Sequence, residues 1–302
     1  MRVKIATPNN TVTGGIELLH QVCAELNKYI PADIWYMADP FDTRIPDEYL
    51  CYGNHIDNRI EPDDVILFPE IWANHIWRYF GHQTIVYWES VDNYFPHTPK
   101  DQWYQFLDDT IHISQTEYSN TFLKDVIKAK NVIEITDYVH DDYLNCDRKA
   151  DREKVVLYNP VKGFELTEKI IQAASDIKFV PVAGMKRAEI IELMRHSMVW
   201  IDFGNFPGKD RLPREAGACG MCLITGKRGS AKYKKDMGIP EEYKISDANY
   251  ADIGNITDKI RDILDNFDER SKLYEPYRKR LKQEKKEFVK GVKKLAERLN
   301  EI

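Results

Sequence analysis

The sequence predicts an α/β protein with two doubly wound parallel sheets, each in its own domain. Short apolar runs alternate with stretches of helical periodicity along almost the whole chain, as in such sheets. The alternation stops once, at the polar stretch 145–154, and then restarts. A length of 302 residues is enough for two cores of about 150 residues each. We therefore expect an N-terminal domain over 1–148 and a C-terminal domain over 149–302.

The first domain opens with a strand, a glycine turn and a helix. The strand covers 2–7, and the pair Gly14 and Gly15 precedes a run whose apolar residues recur on one helical face. The third glycine of the dinucleotide fingerprint is missing. The pair is therefore either a flexible turn that caps the helix or part of a ligand loop at the sheet edge. The next predicted strands are 33–37, 64–68, 84–88, 111–114 and 132–135.

Four side chains at or just beyond the ends of these strands could face a ligand: Glu70, Trp88, Glu89 and Asp92. Carboxylates and tryptophans beside a cleft commonly contact sugars, but a tryptophan in this position more often packs in the core. We keep both interpretations open for Trp88. His112 is expected to be an internal strand residue and not a catalytic one.

The second domain repeats the pattern. Its predicted strands are 154–158, 177–182, 198–203 and 221–225, and 245–252 is expected to hold a last short strand or a loop. The first strand exits into a loop that contains Lys162 and Gly163. Helices at about 255–268 and 270–299 close the chain. The last of them is highly charged and has a thin apolar seam, which suits either packing across a domain or contact with an acidic membrane surface.

The stretch 199–231 carries the strongest functional signal. Its first strand ends in a glycine-rich, basic loop that leads into a small-residue helix ending at Gly220. The candidate ligand residues here are Gly208, Lys209, Asp210, Arg211, Arg214 and Glu215. In open α/β sheets ligands bind beyond the carboxyl ends of the strands, where helix N-termini hold phosphates. An anionic ligand is therefore expected at this edge.

Composition excludes several other classes of protein. A net charge of -6 argues against a general nucleic-acid binder. The Cys219 and Cys222 pair has no second pair or histidine cluster beside it, so we interpret both as small core residues and predict no metal site. The five cysteines are scattered and no signal peptide precedes the first strand, so we expect a cytoplasmic protein. No apolar run approaches the ~20 residues of a membrane span.

Three stretches together resemble glycosyltransferases of the GT-B fold, close to glycosyltransferase family 4. They are the glycine pair at 13–17, the Lys-Gly at 159–163 and the Arg-Glu-Ala-x-Ala-x-Gly segment within 207–230. The resemblance implies two Rossmann-like domains that face each other across a cleft. The C-terminal domain would bind the nucleotide sugar, and the N-terminal domain would bind the acceptor, on the side that carries Glu70, Trp88, Glu89 and Asp92. In that family the second glutamate of an E-x7-E motif binds the ribose of a nucleotide sugar, and Glu215 matches it. The first glutamate would fall on Pro207, where this chain departs from the family pattern, and Asp210 or Asp202 could supply the missing carboxylate.

The resemblance also implies a function. It is transfer of a sugar from a nucleotide sugar, with retention, to a polysaccharide or glycolipid acceptor in cell-surface polysaccharide biosynthesis. Lys162 corresponds to the phosphate-binding lysine, and Arg211 or Lys209 would be the second cation. Gly14 and Gly15 would approach the same diphosphate, and no cofactor beyond the donor substrate is expected. The alternatives are a nucleotide-sugar epimerase or hydrolase, and a catalytically silent sugar-binding subunit. The last helix would make any contact with the inner face of the membrane.

Overall fold

The computed structural model describes residues 1–38, 41 and 44–301 and contains two parallel β-sheets with helices around them. The first sheet has six strands in the order β2-β1-β3-β4-β5-β6. Their bounds are β1 Val3–Thr7, β2 Ala32–Tyr36, β3 Val65–Pro69, β4 Thr84–Trp88, β5 Ile111–Ser114 and β6 Val132–Glu134. All six predicted strands are confirmed to within one residue at each end, because each is a short apolar run bounded by turn residues.

Several helices within residues 1–145 begin at recognisable capping signals. α1 spans Gly14–Leu26, and its N-cap is Thr13, whose side chain accepts a hydrogen bond from the backbone N–H of Ile16. α3 starts with a capping box between Thr116 and Ser119. The helices are α1, α2 Val91–His97, α3 Glu117–Phe122 and α4 Asp141–Leu144, with 3₁₀ turns at Asp47–Tyr52, Glu70–Tyr79 and Lys100–Gln102 and a π turn at Leu123–Ile127.

The second sheet has five strands in the order β11-β10-β9-β7-β8. Their bounds are β7 Glu153–Tyr158, β8 Lys178–Pro181, β9 Ser197–Asp202, β10 Cys222–Gly226 and β11 Lys244–Ile245. The last short strand that the sequence left open therefore exists. β7 and β9 pair in parallel, with Leu157 opposite Trp200, so the loops that follow both strands leave the sheet at the same edge.

Six helices follow β7 along the chain. They are α5 Phe164–Ala173, α6 Arg187–Arg195, α7 Arg211–Ala218, α8 Ile253–Asp265, α9 Phe267–Lys272 and α10 Glu275–Asn300, with 3₁₀ turns at Gly229–Lys232, Glu241–Tyr243 and Asp247–Asn249. α7 begins four residues earlier than the predicted small-residue segment, so the arginines that precede Glu215 are helical.

The chain forms two compact units. The first contains Met1–Asp137, Pro207–Lys209 and Lys286–Ile302, and the second contains Tyr138–Phe206 and Asp210–Lys285. The predicted boundary at 148 falls inside the second unit. The physical reason is α4: its Tyr143 is buried in the hydrophobic core of the second unit, so the chain has joined that unit before the polar stretch begins.

The C-terminal helix begins in the second unit and ends in the first. Its predicted apolar seam is buried. The buried seam residues are Phe288, Val292, Leu295 and Leu299. Gly291 lies against strand β6, where an added Cβ would be 2.6 Å from the carbonyl oxygen of Glu134. The seam is therefore used for packing, and the exposed part of this helix is its charged face.

Candidate functional site

The loop between β7 and α5 brings Lys162 to the carboxyl edge of the second sheet. The side chain of Asn159 shapes this loop by accepting hydrogen bonds from the backbone N–H groups of Val161 (2.9 Å) and Lys162 (3.4 Å). Gly163 follows with a φ of 65°, and a Cβ there would lie 2.4 Å from the backbone carbon of Phe203. The loop therefore packs directly on the end of β9, at a distance that only glycine permits.

Lys162 is held by Asp210, the residue that precedes α7. The Lys162 Nζ atom lies 2.9 Å from Oδ1 and 3.0 Å from Oδ2 of Asp210. The Asp210 side chain makes no capping bond to the helix that it precedes. Gly204 permits this close approach, because a Cβ there would be 2.5 Å from the Cβ of Lys162. The structure thus brings together two predicted ligand residues from different loops, as an ion pair.

Asp202, at the end of β9, is a buried acid beside this ion pair. Its Oδ1 accepts a hydrogen bond of 2.9 Å from the backbone N–H of Gly204, and its Oδ2 has no hydrogen-bond partner in the described part of the chain. Burial raises the pKa of Asp202 to about 7, and the negative charge of Asp210 adds to that shift while Lys162 opposes it. Burial also raises the pKa of Asp210, again against Lys162.

Helix α7 contributes Arg211, Arg214 and Glu215 to the second unit, but in different environments. Arg211 is half-buried at the first position of the helix. Arg214 is only 1% exposed and donates a hydrogen bond to the buried carboxylate of Glu284 on α10. The structure therefore supports a packing role for Arg214, and its predicted contact with a donor stays a prediction.

Glu215 lies in the middle of α7 and is 9% exposed. It is close to Tyr143 of α4: burial raises the pKa of this phenol above its usual range, and the negative charge of Glu215 raises it further. Arg187, at the start of α6, is a second charged neighbour of the same phenol and acts in the opposite direction. Glu215 therefore lies beside the Tyr143 hydroxyl, and its contact with a ribose stays a prediction.

The second basic loop of the predicted stretch, after β10, has its charges paired within the second unit. Arg228 donates two hydrogen bonds from Nε to Asp247 at 2.9 and 3.0 Å, and its guanidinium lies 5.1 Å from the ring centre of Tyr250. Lys227 forms an ion pair with Glu241. These pairs offset the positive charges of Lys227 and Arg228.

In the first unit, Gly15 faces a carboxylate. A Cβ at Gly15 would lie 2.6 Å from Oε2 of Glu89, so the Glu89 side chain rests against the first turn of α1. A helix N-terminus attracts negative charge. The carboxylate of Glu89 therefore occupies the position at Gly14 and Gly15 where the sequence predicted an approach to the donor diphosphate, and that predicted role remains untested.

Glu70 and Glu89 follow two neighbouring strands, β3 and β4. Oε2 of the buried Glu70 accepts a 3.0 Å hydrogen bond from the backbone N–H of Glu89. Burial raises the pKa of the Glu70 carboxyl well above its usual range, although several backbone N–H groups oppose the shift. Glu70 thus shapes the loop that carries Glu89, which is 8% exposed.

The predicted donor loop is divided between the two units. Pro207–Lys209 belongs to the first unit: Ser90 and Gly208 form an antiparallel bridge, and the Val91 N–H donates to the Pro207 carbonyl at 2.9 Å. A Cβ at Gly208 would lie 1.7 Å from the Glu89 carbonyl oxygen, so glycine is required there.

Lys209 is also part of this unit. Its ammonium donates a 2.7 Å hydrogen bond to Thr136, and its backbone N–H donates to Gln115 at 3.1 Å. The side chain is 7% exposed. The sequence could not show that Pro207–Lys209 belongs to a different unit from Asp210. Nothing in a Gly-Lys-Asp run indicates which sheet each residue packs against.

Two further candidates on the acceptor side have structural partners. Trp88 is fully buried, and its indole N–H donates a 3.1 Å hydrogen bond to Nδ1 of His112. Trp88 is therefore a packing residue. His112 is confirmed as an internal strand residue. Asp92 accepts a 2.6 Å hydrogen bond from the Tyr118 hydroxyl.

No group of three or more His, Cys, Asp or Glu side chains in 1–38, 41 and 44–301 could hold a metal ion. Cys219 and Cys222 are both buried in the core of the second unit. No helix within the described ranges is both long and apolar enough to cross a membrane.

Comparison with known proteins identifies the fold. No protein-family model matches this chain, and no curated protein matches it by sequence. Sucrose-phosphate synthase from Thermosynechococcus elongatus is similar in structure, with a TM-score of 0.64 and 14% identity over 99% of this chain and 98% of that one. HepE of Anabaena, solved in complex with UDP-glucose, has a TM-score of 0.63 and 12% identity, with complete coverage of both chains. A glycosyltransferase from Rickettsia africae has a TM-score of 0.67 and 11% identity over 99% of this chain and 98% of that one.

The fold is the GT-B fold of glycosyltransferases. It confirms the predicted α/β class with two doubly wound sheets. The identities are low, so the likeness establishes the architecture, and function must be argued from the residues of the site.

Proposed function

We propose that this protein is a glycosyltransferase that transfers a sugar from a nucleotide-sugar donor to a saccharide or glycolipid acceptor, as in polysaccharide biosynthesis. The observation that carries the proposal is the convergence of the β7–α5 loop and the start of α7 at one edge of the second sheet. There Lys162 and the N-terminus of α7 would receive the diphosphate, and Glu215 would accept hydrogen bonds from the ribose hydroxyls.

The proposed role of the cations at this edge is to stabilise the diphosphate that leaves during transfer. As the glycosidic bond breaks, the diphosphate gains negative charge, and a fixed cation stabilises that charge more in the transition state than in the ground state. Lys162 and Arg211 are the residues proposed for this role. We further propose retention of the anomeric configuration and a membership close to glycosyltransferase family 4, as the resemblance of the three motifs implies. On the acceptor side we propose Glu89, positioned by Glu70.

The rate of donor cleavage tests the proposed enzyme activity. Purified protein should hydrolyse its nucleotide sugar slowly without an acceptor, and Lys162→Ala and Arg211→Ala should each lower the single-turnover rate more than they weaken donor binding. Arg211→Lys should restore part of the loss, since lysine lacks the paired donors of a guanidinium. Wild-type rates in both folded Ala variants would remove these residues from the mechanism.

Glu215 is tested by affinity. Glu215→Ala should weaken binding of the preferred nucleoside diphosphate by roughly 1–3 kcal/mol, the range for hydrogen bonds to a charged group. Calorimetry measures the dissociation constant, with Glu168→Ala, an exposed glutamate on α5, as the matched control. An unchanged constant in a folded Glu215→Ala protein would contradict the ribose assignment.

A second candidate is a catalytically silent sugar-binding subunit. The observation that favours it is Pro207, which stands where the family has its first glutamate and whose carbonyl accepts a hydrogen bond within the first unit. Such a subunit would bind a nucleotide sugar without hydrolysing it. Measurable hydrolysis by the pure protein would exclude this candidate.

A further inference from the structure

The ammonium of Lys162 is already paired with the carboxylate of Asp210. A lysine that receives a diphosphate needs its ammonium available to phosphate oxygens. Here both carboxylate oxygens of Asp210 lie within 3.0 Å of that ammonium. A diphosphate that binds Lys162 must therefore share the ammonium with Asp210 or replace its carboxylate.

We propose that Asp210 is an internal counter-anion, which occupies the phosphate position at Lys162 in the empty protein and is displaced by the donor diphosphate. This inference rests on the proposed function of Lys162. It makes Asp210 a residue that sets donor affinity, in place of the direct donor contact that the sequence suggested. The same exchange in reverse returns the carboxylate to the lysine when the diphosphate leaves.

The geometry supports an exchangeable pair and not a locked one. Lys162 is 39% exposed and Asp210 20% exposed, so both side chains reach solvent. In the described part of the chain, the hydrogen bonds of the Asp210 carboxylate are those from Lys162. Because Asp210 makes no capping bond to α7, its carboxylate can rotate away without breaking a contact of the helix.

Asp210 has charged neighbours besides Lys162. Among the described residues, three charged or titratable groups interact electrostatically with Asp210: Lys162 on the β7–α5 loop, Asp202 on β9 and Arg214 on α7. The buried Asp202 repels it, and burial raises the pKa of Asp210 even though both cations lower it. Protonation of Asp210 would free the Lys162 ammonium. Asp210 should therefore compete less with the diphosphate for Lys162 as the pH falls.

Binding of inorganic pyrophosphate tests the exchange without knowledge of the nucleoside. Asp210→Asn should bind pyrophosphate roughly tenfold more tightly than wild type at pH 8, since an amide does not compete for the ammonium. The ratio of the two affinities should shrink as the pH is lowered, and protonation of the ligand itself is common to both proteins. Asp210→Ala provides a second variant if the asparagine protein folds poorly.

The matched control lies at the other end of the same strand. Lys154, near the start of β7, forms an exposed ion pair with Asp265 at 2.5 Å. Asp265→Asn removes the same charge from the same kind of pair and should leave pyrophosphate affinity within about twofold of wild type. An equal gain in both variants would mean that net charge alone is responsible, and it would overturn the proposal.

A double-mutant cycle separates this inference from the function on which it rests. Lys162→Ala should weaken pyrophosphate binding, and in that background Asp210→Asn should gain less than about twofold. If Lys162→Ala has no effect, the proposed role of Lys162 fails. The counter-anion proposal fails if Lys162→Ala weakens binding but Asp210→Asn binds pyrophosphate no more tightly than wild type. It also fails if neither wild type nor Asp210→Asn binds pyrophosphate.

Discussion

The buried carboxyl of Asp202 should make the second unit less stable as the pH rises. Its pKa is raised to about 7 from the ordinary value of 3.8, mainly by burial. Between these two values the folded protein holds a proton that the unfolded chain has lost, so the free energy of unfolding must decrease with increasing pH. A difference of about 3 pKa units corresponds to about 4 kcal/mol, which is present below pH 4 and lost above pH 7.

Asp202→Asn removes this dependence. The asparagine Oδ1 can still accept the hydrogen bond that Oδ1 of Asp202 receives from Gly204. The variant should therefore match wild type near pH 4 and be more stable above pH 7 by up to about 4 kcal/mol, less the cost of burying an amide group. The structural reason is that a neutral side chain avoids placing a charge in the buried end of β9.

Hydrogen exchange is the appropriate assay because the protein has two units. Exchange of β9 amides at several pH values, corrected for intrinsic rates, gives local opening free energies, and β1 in the first unit serves as an internal reference. Asp258→Asn, an exposed aspartate on α8, is the matched control. Parallel pH profiles for wild type and Asp202→Asn would refute the reasoning, since they would show that Asp202 titrates alike in the folded and unfolded protein.

Two other predictions concern packing in the second unit. Arg214→Ala should reduce the free energy of unfolding by about 3–5 kcal/mol, because it leaves the buried carboxylate of Glu284 without its arginine. Denaturant unfolding measures this loss. The double variant Arg214→Met with Glu284→Leu should recover most of it. Gly163→Ala should destabilise the protein more than Gly184→Ala, because both glycines have φ near 65° but only Gly163 would also clash with β9. Equal losses in melting temperature for the two glycine variants would contradict the clash.

The sequence predicted the strands well because their signals are local. Each strand is a short apolar run ended by glycine, proline or polar residues, and β4 and β5 agree with the prediction residue for residue. The repeated alternation of strands and helices predicted the two doubly wound sheets, and the GT-B fold was implied by the resemblance of the three motifs. Lys162 could also be placed at the sheet edge, since it lies directly after a strand.

The parts that the sequence did not predict depend on contacts between distant residues. The partner of Lys162 is 48 positions away at Asp210, and the partner of Arg214 is 70 positions away on α10. Neither pair has a characteristic spacing. The same holds for Gly208, whose proximity to Glu89 is set by pairing between loops. Charge and glycine content indicated an anion site, but only the fold shows which cations already have partners.

The central claim is that the second unit binds the diphosphate of a nucleotide sugar through Lys162. Its most direct test is thermal shift and calorimetry of wild type and Lys162→Ala with UDP, GDP, dTDP, ADP and CMP. We expect wild type to prefer one nucleoside diphosphate over the others and Lys162→Ala to bind it roughly tenfold or more weakly, by loss of a charged hydrogen bond. A wild-type protein that binds none of these nucleotides, or a folded Lys162→Ala protein with unchanged affinity, would contradict it.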